Sequence, residues 1–575
     1  MGESMDRTGD IGYCQGRSAR NNVVAFLEAH RRSAPDRPAL VWMDGPDIAA
    51  WLADPTSGPV HHQLTFSRLV ELVESAAAGL ARLGIEQGDR VLVFVPMSPQ
   101  LYVAMFAAQR LGASAVFLDS WARRDQLGRC AAQVQPKAFI GPEAALRFAQ
   151  ESAELARVDV RVVVGSHQDC YSADLVELCS VAESSPLVPV EQEQTALITF
   201  TTGSSGEPKG ANRTHRFLAA QHYALDRVLP YQLDDLDLSA FPVFAMNNLA
   251  GGLATIIPAV DLAAPRETDG RLLVAQLASL GATCCTVSPS LLRAISAAVS
   301  VAAANGRTPF RLRRVATGGA VISQGDVAGF QRAFPGAELH ILYGSTEVEP
   351  IAHRVATRPQ GVAMQGEGVC VGRVVAGLAS RLIRICRDPI QPGPEGLTQW
   401  LAPPGQLGEL IVSGEHVCHD YYHNPEAMAR AKIQDSDGVL WHRTGDVCRF
   451  DESGQLWMLG RVHNVICRGC GADGQILFPV GPENAMKTLP FIRAAAYVGL
   501  PDESLGERAV AVYAAQPGQE PPDGEAQIRS VLSAGGFIVD EVRRVDDIPL
   551  DSRHHSKVEY GALRQMLLAA REARK

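Results

Sequence analysis

Two rhythms of apolar and polar residues run along this chain. From Leu64 to Gly84 (LTFSRLVELVESAAAGLARLG) apolar residues return every three or four positions, with Leu69, Leu72, Val73, Ala76 and Leu80 on one face. That period predicts an amphipathic helix closed by Gly84. Asn22 to His30 (NVVAFLEAH) has the same period. Short, nearly continuous apolar runs alternate with such segments: VLVFVP from Val91, SAVFLD from Ser114, PKAFIG from Pro136, VRVVVG from Val160 and TALITF from Thr195. A helical segment, PQLYVAMFAAQRLG, separates the first two. Buried strands alternating with helices predict βαβ units and a parallel sheet.

The pattern continues to about residue 350. Phe241 to Pro258 (FPVFAMNNLAGGLATIIP) reads as a strand, a turn and an apolar helix. Cys284–Pro289, Arg313–Ala320 and Ala337–Pro350 read as strands that end in small, polar or glycine residues. In open α/β sheets that edge binds ligands. Beyond residue 365 short β segments with tight turns take over, among them Gly408–Gly414 and Leu456–Arg461. The expected organisation is an unstructured stretch at 1–20, a large domain at 21–460 and a small domain at 461–575. The fold class is α/β: parallel-rich sheets flanked by helices, a small β subdomain, and a small mobile α+β C-terminal domain.

One stretch stands out chemically. Thr199 to His215 (TFTTGSSGEPKGANRTH) follows an apolar run and crowds hydroxyls and glycines around a single lysine, Lys209. Backbone N–H groups freed by Gly203 and Gly206, the hydroxyls of Thr201, Thr202, Ser204 and Ser205, and the Lys209 ammonium together suit a phosphate group. It is not a Walker A loop, because Pro208, Lys209 and Gly210 stand in the wrong order. A polar surface turn is the plainer alternative.

Composition narrows the function class. At 575 residues the chain exceeds one compact core. A formal net charge of −10 argues against nucleic acid or an acidic membrane as partner. No long uninterrupted apolar window predicts a membrane span, and no signal peptide is visible, so a cytoplasmic location is expected. The twelve cysteines are scattered, as in a reduced compartment. Cys467 and Cys470 form a lone CxxC without a second pair, and read as structural rather than metal-binding.

A second chemical signal is YGSTE, Tyr343 to Glu347. Tyr343 offers a flat face to a purine, Thr346 can bond a phosphate, and Glu347 can hold Mg²⁺ between carboxylate and phosphate oxygens. A third is HRTGD, His442 to Asp446, and a fourth is the tail PLDSRHHSKVEYGALR, Pro549 to Arg564.

These stretches resemble the signatures of the AMP-forming adenylating enzymes: acyl-CoA synthetases, luciferases and the adenylation domains of peptide synthetases. The resemblance implies ATP and Mg²⁺ as cofactors and a small carboxylic acid as substrate. It makes Thr201, Thr202, Gly203, Ser204, Ser205 and Gly206 a phosphate clamp, and Gly318, Gly319 and Ala320 a wall of the adenine pocket. Tyr343, Gly344 and Ser345 would complete the nucleotide site. Asp446 would grip the ribose hydroxyls with help from Arg461. Lys209, Thr346, Glu347 and Lys557 would be catalytic, with Glu347 the Mg²⁺ ligand. An ammonium such as that of Lys557 stabilises the negative charge that builds as a carboxylate attacks the α-phosphate.

Two departures select a branch. Thioester-forming relatives commonly carry His after Pro-x-Phe, where this chain has Ala245. The hinge after Gly460-Arg461 carries His463 rather than Asp or Lys, and the glycine loop beyond it is long. FPVFA, YGSTEVEP, GVCVGRVV and RHHSKV together resemble the β-lactone synthetases of bacterial long-chain olefin synthesis (OleC-like enzymes). Those enzymes adenylate a β-hydroxy acid, whose own hydroxyl then displaces AMP; a tethered nucleophile replaces a second bimolecular capture. The rivals are an acyl-CoA, amide or carrier-protein ligase, with CoA entering only there, and a non-catalytic nucleotide-binding module. His215, His222 and His463 are candidate bases for the closing step, each more readily read as a structural or surface residue. Chain length of the acid and oligomeric state are not written in the sequence.

Overall fold

The structure, a computed structural model, describes residues 16–118, 124–165, 171–202, 207–261, 268–304, 310–356, 368–393, 395–469, 475–551 and 557–572. Three sheets organise them. In the seven-stranded sheet the spatial order is 173–174, 160–164, 138–142, 90–93, 114–117, 195–202 and 208–214. Every neighbouring pair is parallel except the last, which is a hairpin. The helices Phe66–Arg82 and Pro99–Arg110 fill one face and Arg124–Val134 and Glu143–Glu151 the other. Both faces are therefore covered, which is why these strands read as apolar runs rather than alternating ones.

The long helix forms where its period placed it. Thr65 caps it, accepting a hydrogen bond from Arg68 N at 3.2 Å. At the other end Ile85 N reaches Leu80 O at 3.1 Å while Gly84 adopts φ +86°, the left-handed turn that only glycine makes without cost. Leu69, Val73, Ala76 and Leu80 are fully buried. Truncating one such leucine to alanine costs about 2–5 kcal/mol.

The second sheet, of 14 strands, has two characters. Strands 38–42, 254–256, 236–239, 284–287, 314–318 and 338–345 run parallel under the helices Gly270–Leu280, Pro289–Ala304 and Gln324–Ala333. From the hairpin 338–345/348–355 onward the pairing is antiparallel, through 369–374, 456–461, 440–450, 408–413 and 379–383. This is the small β part that the short turn-rich segments predict. The third sheet holds five strands: 475–477, 466–468, 506–515, 492–502 and 541–544. It packs with the helices Val480–Met486, Gly524–Ala534 and Tyr560–Glu572 into cores of its own.

Three expectations need correction. Residues 241–258 form a helix first, Pro242–Ala250, and then the strand Ala254–Ile256. Pro242 stands in the first turn, where its missing N–H costs nothing, and Gly252 at φ +70° turns the chain into the strand. The hydroxyl- and glycine-rich stretch is not loop throughout. Pro208–Thr214 is a strand paired with Thr195–Thr202, Lys209 opposite Thr201. Finally, the unstructured N-terminus does not extend to residue 20. Ser18 exchanges backbone bonds of 3.0 and 3.1 Å with Val190, and the Asn21 amide bonds Gly16 O and Val190 O. These pairings satisfy backbone and side-chain donors that would otherwise need water. Residues 1–15 lie outside the described ones.

Candidate active site

The predicted residues gather at strand ends. Strand 314–318 delivers Gly318, Gly319 and Ala320. A Cβ on Gly318 would stand 2.5 Å from Leu342 O, and Gly319 has φ +80°, so this bend tolerates only small residues. The neighbouring strand 338–345 delivers Tyr343, Gly344 and Ser345, followed by Thr346 and Glu347 in the turn to 348–355. A Cβ on Gly344 would meet Val348 O at 2.8 Å, so the turn closes tightly. Ser345 Oγ accepts from Glu347 N at 3.2 Å, which shapes the same turn.

Asp446 and Arg461 come from adjacent strands and stand directly opposite each other. Arg461 Nη1 donates to Asp446 Oδ1 at 3.1 Å, and Tyr343 Oη donates to Asp446 Oδ2 at 2.6 Å. One carboxylate thus joins YGSTE to the HRTGD strand and Arg461. Arg461 is crowded by charges, Asp446 first, that raise its pKa, yet 55% of its side chain stays accessible.

The hairpin strand brings the phosphate-loop residues alongside. Arg213 Nη2 donates to Thr346 O at 2.8 Å, tying this strand to the Glu347 turn. Lys209 lies 6.0 Å from the Tyr421 ring centroid. Burial lowers its pKa, and the Glu347 charge opposes that. Thr201 faces Lys209 and Thr202 faces Pro208 in the hairpin register. Gly203, Ser204, Ser205 and Gly206 lie outside the described residues.

Glu347 is the most constrained acid of the group. Burial alone would raise its pKa; it falls instead to about 2, through neighbouring charge from His442 and Lys432 and hydrogen bonds from Tyr421 and Ser345. His442 is itself buried with a pKa pushed down to about 3, so it is neutral at pH 7 and contributes little then. The Tyr421 hydroxyl, 2.7 Å from Glu347 Oε1, and the buried Lys432 ammonium hold the carboxylate ionised at that pH. Among the described residues no cation pairs with it directly. An accessible, ionised carboxylate without an ion-pair partner fits a divalent cation that also takes phosphate oxygens.

Lys557 stands apart from this cluster. It is exposed, and its backbone is bound within its own segment: its N–H donates to Asp551 Oδ1 and its carbonyl accepts from Asp551 N, both at 2.8 Å. The candidate bases separate clearly. His215 is fully buried, with a pKa near 3 from burial, and its Nδ1 accepts from Val23 N at 3.2 Å. His222 is buried and bonds Asn247 Oδ1 at 2.9 Å. His463 is exposed, its pKa lowered by partial burial and then by Arg387, Arg461, Arg443 and Lys209. Asn248, next to Asn247 in sequence, donates to the buried Asp237 Oδ2 at 2.7 Å. Tyr421, Lys432 and Arg213 were not singled out by the sequence. The one available hint was the tyrosine pair before Asn424-Pro425, the capped start of a helix.

Tyr343, Asp446 and Arg461 thus sit on strands of the 14-stranded sheet, next to the glycine bend at 318–319, and Arg213 ties the hairpin strand 208–214 of the seven-stranded sheet to the same turn. The chain belongs to the family of AMP-binding enzymes, whose model matches residues 27–422, and is an AMP-forming ligase of the adenylate-forming superfamily. It is 30% identical over 557 residues to an olefin beta-lactone synthetase of Xanthomonas campestris pv. campestris, covering 93% of this chain and 96% of that protein. A second olefin beta-lactone synthetase, from Stenotrophomonas maltophilia, is 32% identical over 458 residues, 76% of this chain and 79% of its own. Among solved structures, the amide bond synthetase McbA from Marinactinospora thermotolerans superposes with a TM-score of 0.75 at 22% identity, covering 94% of this chain and 99% of that one. ATP-bound MatB from Rhodopseudomonas palustris gives 0.74 at 20% identity, over 95% and 98%. No described helix is long and apolar enough to cross a membrane.

Proposed function

We propose that this acyl-adenylate-forming ligase activates a β-hydroxy carboxylic acid and closes it to a β-lactone without CoA. The observation that carries the reading is the match to an olefin beta-lactone synthetase over 93% of this chain, joined by Ala245 where a thioester-forming relative would carry His.

In the first step a carboxylate oxygen attacks the α-phosphorus of ATP. The bond to the bridging oxygen breaks and pyrophosphate leaves. Gly318, Gly319 and Ala320 form the adenine wall, and Tyr343 lies beside the base. Asp446 already accepts from Tyr343 and Arg461, which fixes its plane, and its remaining lone pairs receive the ribose hydroxyls. Thr201, Thr202, the residues 203–206 and Lys209 hold the departing phosphates. Glu347 holds Mg²⁺, which neutralises phosphate charge when bound. Lys557 stabilises the charge that develops on the attacked phosphate, as a positioned ammonium does.

In the second step the β-hydroxyl oxygen attacks the acyl carbon, the acyl–phosphate bond breaks, and AMP leaves as the hydroxyl gives up its proton. His215 and His222 are engaged inside the fold, which leaves His463 as the accessible imidazole of the three candidates.

The test is product analysis with a β-hydroxy acid, ATP and Mg²⁺, with and without CoA. Equal amounts of AMP and lactone without CoA are expected. A thioester formed only when CoA is added would establish the acyl-CoA ligase reading, for which the 26% identity to the acyl-CoA ligase sidI of Aspergillus fumigatus over 80% of the chain speaks.

A further inference from the structure

Residues 417–422 cross both signature segments without belonging to either. Val417 bridges Val348, and Cys418 N donates to Glu347 O at 2.7 Å. Further along, Tyr421 bridges Ala211, Tyr422 N donates to Gly210 O at 2.8 Å, and Asn212 N donates to Asp420 O at 3.2 Å. The Cys418 thiol donates to Asn212 O at 3.1 Å. This strap therefore sets the Glu347 turn against the strand that carries Lys209.

Tyr421 is the strap's central side chain. It is 4% exposed, so its position is set by packing. Two ammonium groups lie near its ring, Lys209 at 6.0 Å and Lys432 at 5.6 Å from the centroid. Lys432 is anchored in turn by a bond to Cys418 O. A cation over an aromatic face is attracted to the ring's negative quadrupole. The buried hydroxyl donates to Glu347 Oε1 at 2.7 Å. That bond engages one carboxylate oxygen and restrains the group's rotation, while Oε2 takes no part in it.

We infer that Tyr421 is a positioning residue which orients Glu347 for its divalent cation and, through the same ring, couples that cation to Lys209. The inference rests on the reading of Glu347 as the Mg²⁺ ligand. Partners of a metal-binding carboxylate typically change metal affinity by about 10–100-fold when lost.

The experiment compares the wild type with Tyr421→Phe, which keeps the ring near both lysines and removes only the hydroxyl. Binding of a fluorescent ATP analogue is measured at graded Mg²⁺ and in EDTA, alongside melting temperature and ATP–pyrophosphate exchange. The expected result is an approximately tenfold higher Mg²⁺ requirement for nucleotide binding and for exchange. Binding in EDTA and melting should stay unchanged, and saturating Mg²⁺ should restore the rate. In a Glu347→Gln background the second substitution should have no further effect on Mg²⁺ dependence. Identical Mg²⁺ curves for wild type and Tyr421→Phe would overturn the inference, as would a defect that Mg²⁺ does not rescue. Failure of the wild type to exchange pyrophosphate with any acid would instead strike the proposed reaction, because the binding curves report on Tyr421 without turnover.

Discussion

The turn that carries Glu347 and the segment that carries Lys557 are built on opposite plans. Glu347 is fixed from several directions at once: by Ser345 in its own turn, by Tyr421 on its carboxylate and by Cys418 on its carbonyl, while Arg213 holds the preceding carbonyl. Lys557 has an exposed side chain on a segment whose backbone bonds are to Asp551 nearby. The first region is preorganised, so nucleotide binding requires little rearrangement there. The second places a long, charged side chain at the protein surface, and ordering such a side chain against a ligand costs entropy. The proposed division of labour follows: the large sheets bind and orient, and the small sheet's tail delivers the charge that speeds the chemistry.

Breaking that division at Lys557 gives the largest expected effect. Lys557→Ala should lower ATP–pyrophosphate exchange by about a hundredfold or more, with nucleotide affinity nearly unchanged by direct binding. A parallel loss of binding would place Lys557 in the preorganised half instead. Asp446→Ala attacks the fixed half. It removes the acceptor shared by Tyr343 and Arg461 and should cost about 1.5–3 kcal/mol of ATP affinity, the usual worth of hydrogen bonds to a charged group. Titration with ATP checks it; wild-type affinity would contradict the assignment.

A smaller loss is expected from Arg213→Met, which keeps much of the apolar stem but frees Thr346 O. An unsatisfied carbonyl costs about 1–3 kcal/mol, to be read as a lower melting temperature together with slower exchange. Intact melting and exchange would show that the hairpin needs no such strut.

The two regions should also part under mild acid. His215 and His442 have pKa values near 3 and His353 near 4, each lowered by burial first. A lowered histidine pKa means that the unfolded chain binds a proton first. Stability is therefore full above the unfolded value of about 6.5 and falls as pH drops from there toward 3–4. At pH 5.5 each such group costs about 1.4 kcal/mol. The strands and helices of the small sheet carry no histidine. Hydrogen exchange between pH 7 and 5.5 should show weakening in the large sheets and not in the small one; uniform weakening would contradict this.

How much of this was legible depended on whether the determinant is local. The helix 66–82 and the strands 90–93, 138–142 and 160–164 followed from periodicity, because burial on one or both faces writes itself into adjacent residues. YGSTE was visible because its tight turn demands particular residues, and TGD because Gly445, at φ +70°, bends the strand 440–450 where few other residues could. Phe241–Pro258 was misread since short apolar runs suit strand and helix alike, and Pro242 favoured the helix. The strap at 417–422 was invisible: most of its contacts run through backbone atoms to residues far away in sequence, such as Gly210 and Glu347, and backbone contacts leave little trace in side-chain pattern. Tyr421 acts through its hydroxyl, yet nothing nearby in sequence announces its partner.

The central claim is that the substrate's own hydroxyl takes the acyl group. The most direct measurement pairs a 3-hydroxy acid with its 3-deoxy analogue in the absence of CoA, following pyrophosphate exchange and AMP release for each. The account predicts exchange with both acids, and multiple-turnover AMP release with the hydroxy acid alone. Equal AMP release from the two acids, or none from either until CoA is added, would contradict it.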